Sequence, residues 1–295
     1  MKKYGDEGMN GSSRNGFDDS FQNLLQGLKP PVGKPKEEVW QAILDNIENQ
    51  QPVRIISLTT ILLRVAALIV VLLSLGGSIW IWGFGKVSVT TTRGQHITYL
   101  LPDSSSVQLN ADTRISFNKV LWNYSRKVHL SGEALFKVKK GKKFDVITEL
   151  TTTSVLGTTF DVYARDGKVK VSCIEGKVQV KTHETQDKVI LTAGLYTQTQ
   201  EQKLTVPIEK VVKEQVAWSN GEFFFNNSAI NDVLDEIERQ FNVDINFTGD
   251  QTRHYTGYFN NKDLNDALRI VCIPMEYSYS FKGKTIEIKQ KENKH

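Results

Sequence analysis

Five histidines (His96, His129, His183, His254 and His295) and two cysteines (Cys173 and Cys272) are the residues of this 295-residue chain best suited to hold a metal or activate a nucleophile. Zinc sites gather such residues at separations of about two to five positions. No His or Cys pair here has that spacing, so no metal site is expected. Glu133 and Asp145 are the carboxylates nearest in kind to a general acid–base pair, but acidic residues in strand-rich chains mostly sit in solvated turns. Phosphate-cradling and dinucleotide-binding glycine patterns and the G-x-S-x-G nucleophile turn are absent from the sequence. The reading is of a protein that is not an enzyme and has no catalytic residue and no cofactor. The two cysteines fall in different expected domains, which favours buried, unpaired thiols over a disulfide.

What must position everything else is an uncharged run from Val65 to Phe84, VAALIVVLLSLGGSIWIWGF. About 20 apolar residues in helical form cross ~30 Å of hydrocarbon, so the run predicts a transmembrane helix over 65–84, with Arg64 and Lys86 as charged stops and Trp80 and Trp82 at the far interface. It begins too far into the chain for a cleaved leader and reads as a signal anchor. Lys34, Lys36, Arg54 and Arg64 precede it, which favours a cytoplasmic N-terminus. The long strand-rich remainder would be exported to the periplasm, placing the protein in the inner membrane as a single-pass chain. Residues 1–64 carry eight basic and eight acidic residues, so the net charge of +4 lies entirely beyond them. That excess is small and dispersed, which argues against direct nucleic-acid binding and leaves membrane lipid as the expected non-protein partner.

Met1 to Gly16 is polar and aperiodic. Phe17, Phe21, Leu24, Leu25 and Leu28 recur at helical spacing up to Pro30-Pro31. A second helix, Glu37 to Gln51, presents Val39, Trp40, Ile43, Leu44 and Ile47 on one face. Two short amphipathic helices cannot build a core alone, so this head either folds as a small hairpin or offers its face to a partner, with Trp40 as the anchor. Beyond the span the period changes to 2: VSVTTT, SVQLNA, RISFN, KVHLSG, ALFKVKK, FDVIT, FDVYA, KVKVSCI, KVQVKT and VILTA predict an antiparallel all-β domain over 86–205, a sandwich or partly open barrel. A connector, 206–220, leads to a small α+β domain, 221–290, of order β-α-β-β-α-β-β, closed by a hairpin at Lys282-Gly283-Lys284.

The blocks YLLPDSSSVQLNADTRISF (Tyr99 to Phe117), RKVHLSGEALFKV (Arg126 to Val138), SVLGTTFDV (Ser154 to Val162) and CIEGKVQV (Cys173 to Val180), with FDV at Phe144, resemble the FecR-type anti-sigma regulators. The stretch from Trp218 to Lys289 is similar to the C-terminal domain of that family. Two turns depart from the family pattern: Ser104 stands where its Pro-Asp-Gly-Ser turn has glycine, and Ala193 where proline precedes Gly194. The resemblance implies a head that binds an extracytoplasmic-function sigma factor and a body that takes a signal from the periplasmic signalling domain of a TonB-dependent outer-membrane transporter. Sigma binding would fall on Val39, Trp40, Ile43, Leu44 and Ile47. Transporter contact would fall on strand edges at Phe223, Phe225, Tyr255, Tyr258 and Phe259. Some members of the family are divided at a Gly-Thr bond by attack of the threonine hydroxyl, which singles out Gly157 and Thr158. The residues by themselves also allow a bulge at Gly157. A different class of function, a membrane-anchored glycan or envelope-polymer module, would need an aromatic platform, for which Trp122 and Tyr124 are the candidates.

Overall fold

The computed structural model describes residues 33–49, 57–209 and 216–291, with single positions at 22, 25, 27 and 214. Apart from the single helical positions 22, 25 and 27, the helix expected over 17–28 lies outside the described residues. The chain separates into two units, 1–70 and 71–295, the division falling within one long helix.

In the first unit, α1 (Lys36–Glu48) starts after Pro35, has Glu37 and Glu38 in its first turn and buries none of its residues. The acidic first turn complements the helix N-terminus. The apolar helix, α2 (Leu58–Phe84), is longer than the sequence reading. Ser57 is the reason: its hydroxyl accepts from the Thr60 N–H at 3.3 Å, a side-chain cap that starts the helix two turns before Arg64. Arg64 therefore lies inside α2 rather than at its end. Leu58–Ile79 has a mean hydropathy of 2.5 and none of it is covered by protein. Within the helix, Ser74 and Ser78 donate their hydroxyls to the Val71 and Ser74 carbonyls, both at 2.8 Å, so these polar groups are satisfied without solvent.

The β domain is a nearly closed sheet of fourteen strands laid over on itself as two layers. In chain order these are β1 (Lys86–Thr91), β2 (Ile97–Leu100), β3 (Ser106–Leu109), β4 (Thr113–Asn118), β5 (Arg126–Lys137), β6 (Phe144–Ile147), β7 (Thr151–Val155), β8 (Thr159–Arg165), β9 (Lys168–Glu175), β10 (Lys177–Thr182), β11 (Lys188–Thr192), β12 (Leu195–Gln200), β13 (Lys203–Leu204) and β14 (Ile208–Glu209). One layer runs β1-β4-β5-β6-β7-β10-β11, the other β2-β3-β5-β8-β9-β12, with β13 and β14 on β12. Strand β5 belongs to both. The segments KVHLSG and ALFKVKK, read separately in sequence, are one strand that turns the corner at Gly132, whose φ is +113°. A Cβ there would lie 2.5 Å from Thr113 Oγ1 and 2.7 Å from Thr113 Cα, so only glycine fits. The expectation of a wholly antiparallel body is corrected at one place: β5 and β6 are parallel, Arg126 opposite Phe144. The corner at Gly132 makes that possible: the second half of β5 brings the chain back beside its start, where Arg126 Nη1 donates to the Lys139 carbonyl at 3.2 Å, so the short segment 138–143 reaches β6. Strands β7 and β12 carry too many threonines and glutamines to alternate cleanly and β2 is only four residues long, and sequence patterning missed all three.

The sandwich core is aromatic at its centre. Phe136 stacks on Phe160 at 5.1 Å, and Trp122 packs edge-on between Phe117 and Phe144 at 5.2 and 5.9 Å. Asp103 shapes the turn where Ser104 replaces glycine: it accepts from the Ser105 N–H at 3.0 Å and from Arg126 Nη1 at 2.8 Å, while Ser104 adopts φ +61°. The positive φ is the reason glycine suits that position.

The C-terminal module follows a 3-10 turn, Ala217–Asn220. It comprises β15 (Glu222–Ala229), α3 (Ile230–Phe241), β16 (Asp244–Phe247), β17 (His254–Asn260), α4 (Leu264–Cys272), β18 (Tyr277–Lys282) and β19 (Thr285–Gln290). It holds two small sheets rather than one: β15 with β17, and β16-β19-β18 with β16 parallel to β19. Ile230, Val233, Leu234 and Ile237 of α3 meet Ala267, Leu268 and Val271 of α4 in one core. Asp263 caps α4 by accepting from the Asp266 N–H at 2.9 Å.

Candidate functional site

Glu133 faces outward from the corner strand β5, and solvation is what an outward carboxylate would ordinarily have. Here the C-terminal module covers it. α3 turns its apolar stripe to its own core and presents Glu236, Arg239 and Gln240, all buried, to the sandwich. Gln240 Nε2 donates to Asn110 Oδ1 at 2.9 Å and to Glu236 Oε1 at 2.7 Å. Asn110 Nδ2 in turn donates to Glu133 Oε2 at 2.6 Å. Arg239 holds Glu236 with Nε and Nη2 at 3.1 and 2.8 Å. His96 Nε2 lies 2.9 Å from Gln240 Oε1, and Trp218 Nε1 donates to Asp161 Oδ1 at 3.1 Å. Outside this network, Lys168 pairs with Asp232 at 2.9 Å and Arg93 with Asp244 at 2.9 Å.

Glu133, Asp161 and Glu236 share this seam, and burial governs the ionisation of Glu133 and Asp161. Glu133 is pushed up to about 7, first by loss of solvent and then by Glu236, against the pull of Arg165, Asn110 and Lys170. Burial and then the charge of Glu133 raise Asp161 well above the usual carboxylate range, although the Trp218 hydrogen bond opposes them. Burial pushes the Cys173 thiol up to about 11 and the Cys272 thiol to about 12. Both cysteines are free and buried, as the sequence led us to expect.

No nucleophile with an adjacent base emerges from this arrangement. Glu133 and Asp145 do not form a pair: Asp145 is on β6, accepting from Ser154 Oγ at 2.6 Å and pairing with Lys143 at 3.0 Å. Among the described residues, no group of His, Cys, Asp and Glu side chains is arranged to hold a metal ion. What the seam does chemically is join two folded bodies through a polar network in which every carboxylate has a donor. Beside it opens a cleft of about 910 Å³, lined by Tyr163, Lys170, Tyr196, Phe224 and Tyr258 among others.

The sequence-selected aromatics divide sharply. Phe223, Tyr255 and Phe259 are core residues of the module, buried because β15 and β17 turn those positions into the core they share with α3 and α4. Phe225 is half-buried against Phe259 at 5.5 Å. Tyr258 is exposed and stacks at 5.8 Å on Phe224, a residue not singled out in the sequence. The outward aromatic pair of this sheet is thus Phe224 and Tyr258. Trp122 is 3% exposed while Tyr124 is 86% exposed, so these two form no platform for a glycan. On α1, Val39, Trp40, Ile43, Leu44 and Ile47 are all exposed, Trp40 at 60%.

Gly157 has a packing role: a Cβ would lie 2.5 Å from Lys140 Cα. Thr158 is 5% exposed and donates its hydroxyl to the Lys177 carbonyl at 3.0 Å. Neither Glu236 nor Gln240 is marked by sequence, because polar residues beside an apolar stripe read as a solvated helix face.

Beyond α2 the described residues form a corner-turning β sandwich latched to a βαββαββ module. Residues 87–179 match the FecR protein family and residues 222–288 match the FecR C-terminal domain, and the chain belongs to the FecR family. Among solved structures, two of a candidate anti-sigma factor from Parabacteroides distasonis, at 2.50 and 1.65 Å resolution, are similar, with 26% and 25% identity. Each covers 70% of this chain and 100% of its own, with a TM-score of 0.65. No match was found among curated proteins. The family and these structures identify a regulator of the anti-sigma type.

Proposed function

We propose that this chain is a single-pass inner-membrane anti-sigma regulator. α2 crosses the bilayer, α1 lies in the cytoplasm and holds an extracytoplasmic-function sigma factor, and the β body with its C-terminal module lies in the periplasm and receives a signal from a TonB-dependent transporter. The observation that carries the reading is the bare apolar face of α1. Val39, Trp40, Ile43, Leu44 and Ile47 line one side of a helix that buries nothing, a stripe of the kind that amphipathic helices lay into a partner's groove. The extent and hydropathy of α2 support the crossing. On the exported side, Phe224 and Tyr258 are the exposed aromatics of the module, and they are better suited to the transporter contact than the buried Phe223, Tyr255 and Phe259.

Capture of the host's extracytoplasmic-function sigma factors by the full chain in detergent tests this reading. Trp40→Ala is expected to weaken capture by roughly thirtyfold, equivalent to the ~2 kcal/mol of a central aromatic anchor. Equal capture by wild type and Trp40→Ala would remove α1 from the interface, and no capture of any sigma factor would end the proposal.

A further inference from the structure

We propose that the end of the sandwich from which α2 emerges is a docking surface for anionic phospholipid, seating the β body on the bilayer. This rests on the reading of α2 as a membrane span.

Strand β1 starts at Lys86, with only Gly85 between it and the last residue of α2, and the Lys119 N–H donates to the Gly85 carbonyl at 2.7 Å. A single intervening residue reaches about 3.5 Å, so the sandwich cannot stand off from the helix end. Register then shows what else is at that end. Lys86 lies opposite Asn118, Phe117 opposite Val128, Arg126 opposite Phe144, and Phe144 opposite Val155. The loops at this end therefore include 119–125, between β4 and β5, and 138–143, between β5 and β6, together with the β7–β8 turn and the β9–β10 turn at Gly176, which adds exposed Lys177 and one exposed carboxylate, Glu175.

Their composition suits a lipid headgroup layer. Lys119, Lys139, Lys140 and Lys142 are exposed, and among the described residues none has a carboxylate within ion-pair distance. Lys142 Nζ donates to the Asn123 carbonyl at 3.1 Å, tying the two loops together. Set among the lysines are Tyr124, 86% exposed, and Leu156, 62% exposed, whose carbonyl accepts from the Gly141 N–H at 2.8 Å. Lysines attract anionic headgroups, and an amphipathic ring settles at the interface. The opposite end, reached at Thr91 and Thr182, is mixed in charge, with exposed Asp112, Glu149 and Glu184 alongside Lys181 and Lys188. The charge difference between the two ends orients the body with its lysines toward the bilayer.

The test uses the full chain in bilayers of phosphatidylcholine with or without phosphatidylglycerol. An environment-sensitive fluorophore is attached at Tyr124→Cys, or at Glu184→Cys on the opposite end, and quenched by spin-labelled lipid. Cys173 and Cys272 are buried and stay unlabelled. Quenching at position 124 should be about threefold stronger with phosphatidylglycerol than without. It should fall to the neutral-lipid level at about 1 M salt, where the screening length is ~3 Å, and in Lys139→Gln/Lys140→Gln/Lys142→Gln. Position 184 should stay unquenched throughout. Equal quenching in neutral and anionic bilayers, or none in either, overturns the proposal, and the salt titration decides this without the triple variant. Alkaline carbonate extraction separates this from failure of the span itself: a chain released by carbonate removes both readings, whereas a retained chain with an unquenched position 124 removes only this one.

Discussion

At the scale of the residue, Thr158 shows how the same side chain reads differently once its partners are known. Scission at Gly157-Thr158 requires the hydroxyl to lose its proton to a base while attacking the Gly157 carbonyl. In the fold the hydroxyl donates to the Lys177 carbonyl, and a carbonyl is no base for that step. The missing Cβ of Gly157 is already explained by the backbone of Lys140. The chain is therefore expected to remain whole. Blots of a chain tagged at both ends should show one full-length band in wild type and in Thr158→Ala, and two fragments in wild type that merge in the variant would reinstate self-cleavage.

At the scale of the element, β5 is the strand on which both layers depend, and Gly132 is the residue that lets it serve both. Gly132→Ala forces a Cβ into Thr113 at a φ that alanine resists, so a loss of about 3 kcal/mol or more is expected, read as a large fall in the thermal midpoint. Gly283→Ala is the matched comparison. Its φ is +65°, and no atom lies within 4 Å of the added Cβ, so backbone strain alone should cost about 1 kcal/mol. Similar losses in the two variants would show that the corner tolerates a side chain.

At the scale of the whole molecule, the seam makes the docking of sandwich and module sensitive to pH. Glu133 titrates near 7 in the folded chain, above its ordinary value of 4.5, because its charged form is desolvated. A group raised on folding contributes stability below its unfolded value, and that contribution is lost as pH rises through the folded one. Stability from this seam should therefore decline between about pH 4.5 and 7, by on the order of 3 kcal/mol. Glu133→Gln keeps an oxygen for Asn110 and carries no charge, so it should flatten that decline in thermal midpoints measured from pH 4.5 to 8. A variant whose decline matches wild type would assign the pH dependence to other groups.

The sequence by itself was enough for the features that periodicity and local chemistry control: the apolar character of α2, the apolar stripe of α1, most of the strands, the order of the C-terminal module and the family its blocks resemble. These are legible because a helix or strand states its buried face in its own residues. The start of α2 at Ser57, two turns early, was a capping signal that hydropathy alone overlooks. The joining of β5 into one strand, its parallel pairing with β6, the burial of Trp122, Phe223, Tyr255 and Phe259, and the network of Asn110, Glu133, Glu236 and Gln240 were decided only in three dimensions. Each depends on what a distant segment covers, and a polar residue carries the same letter whether water or another domain lies against it.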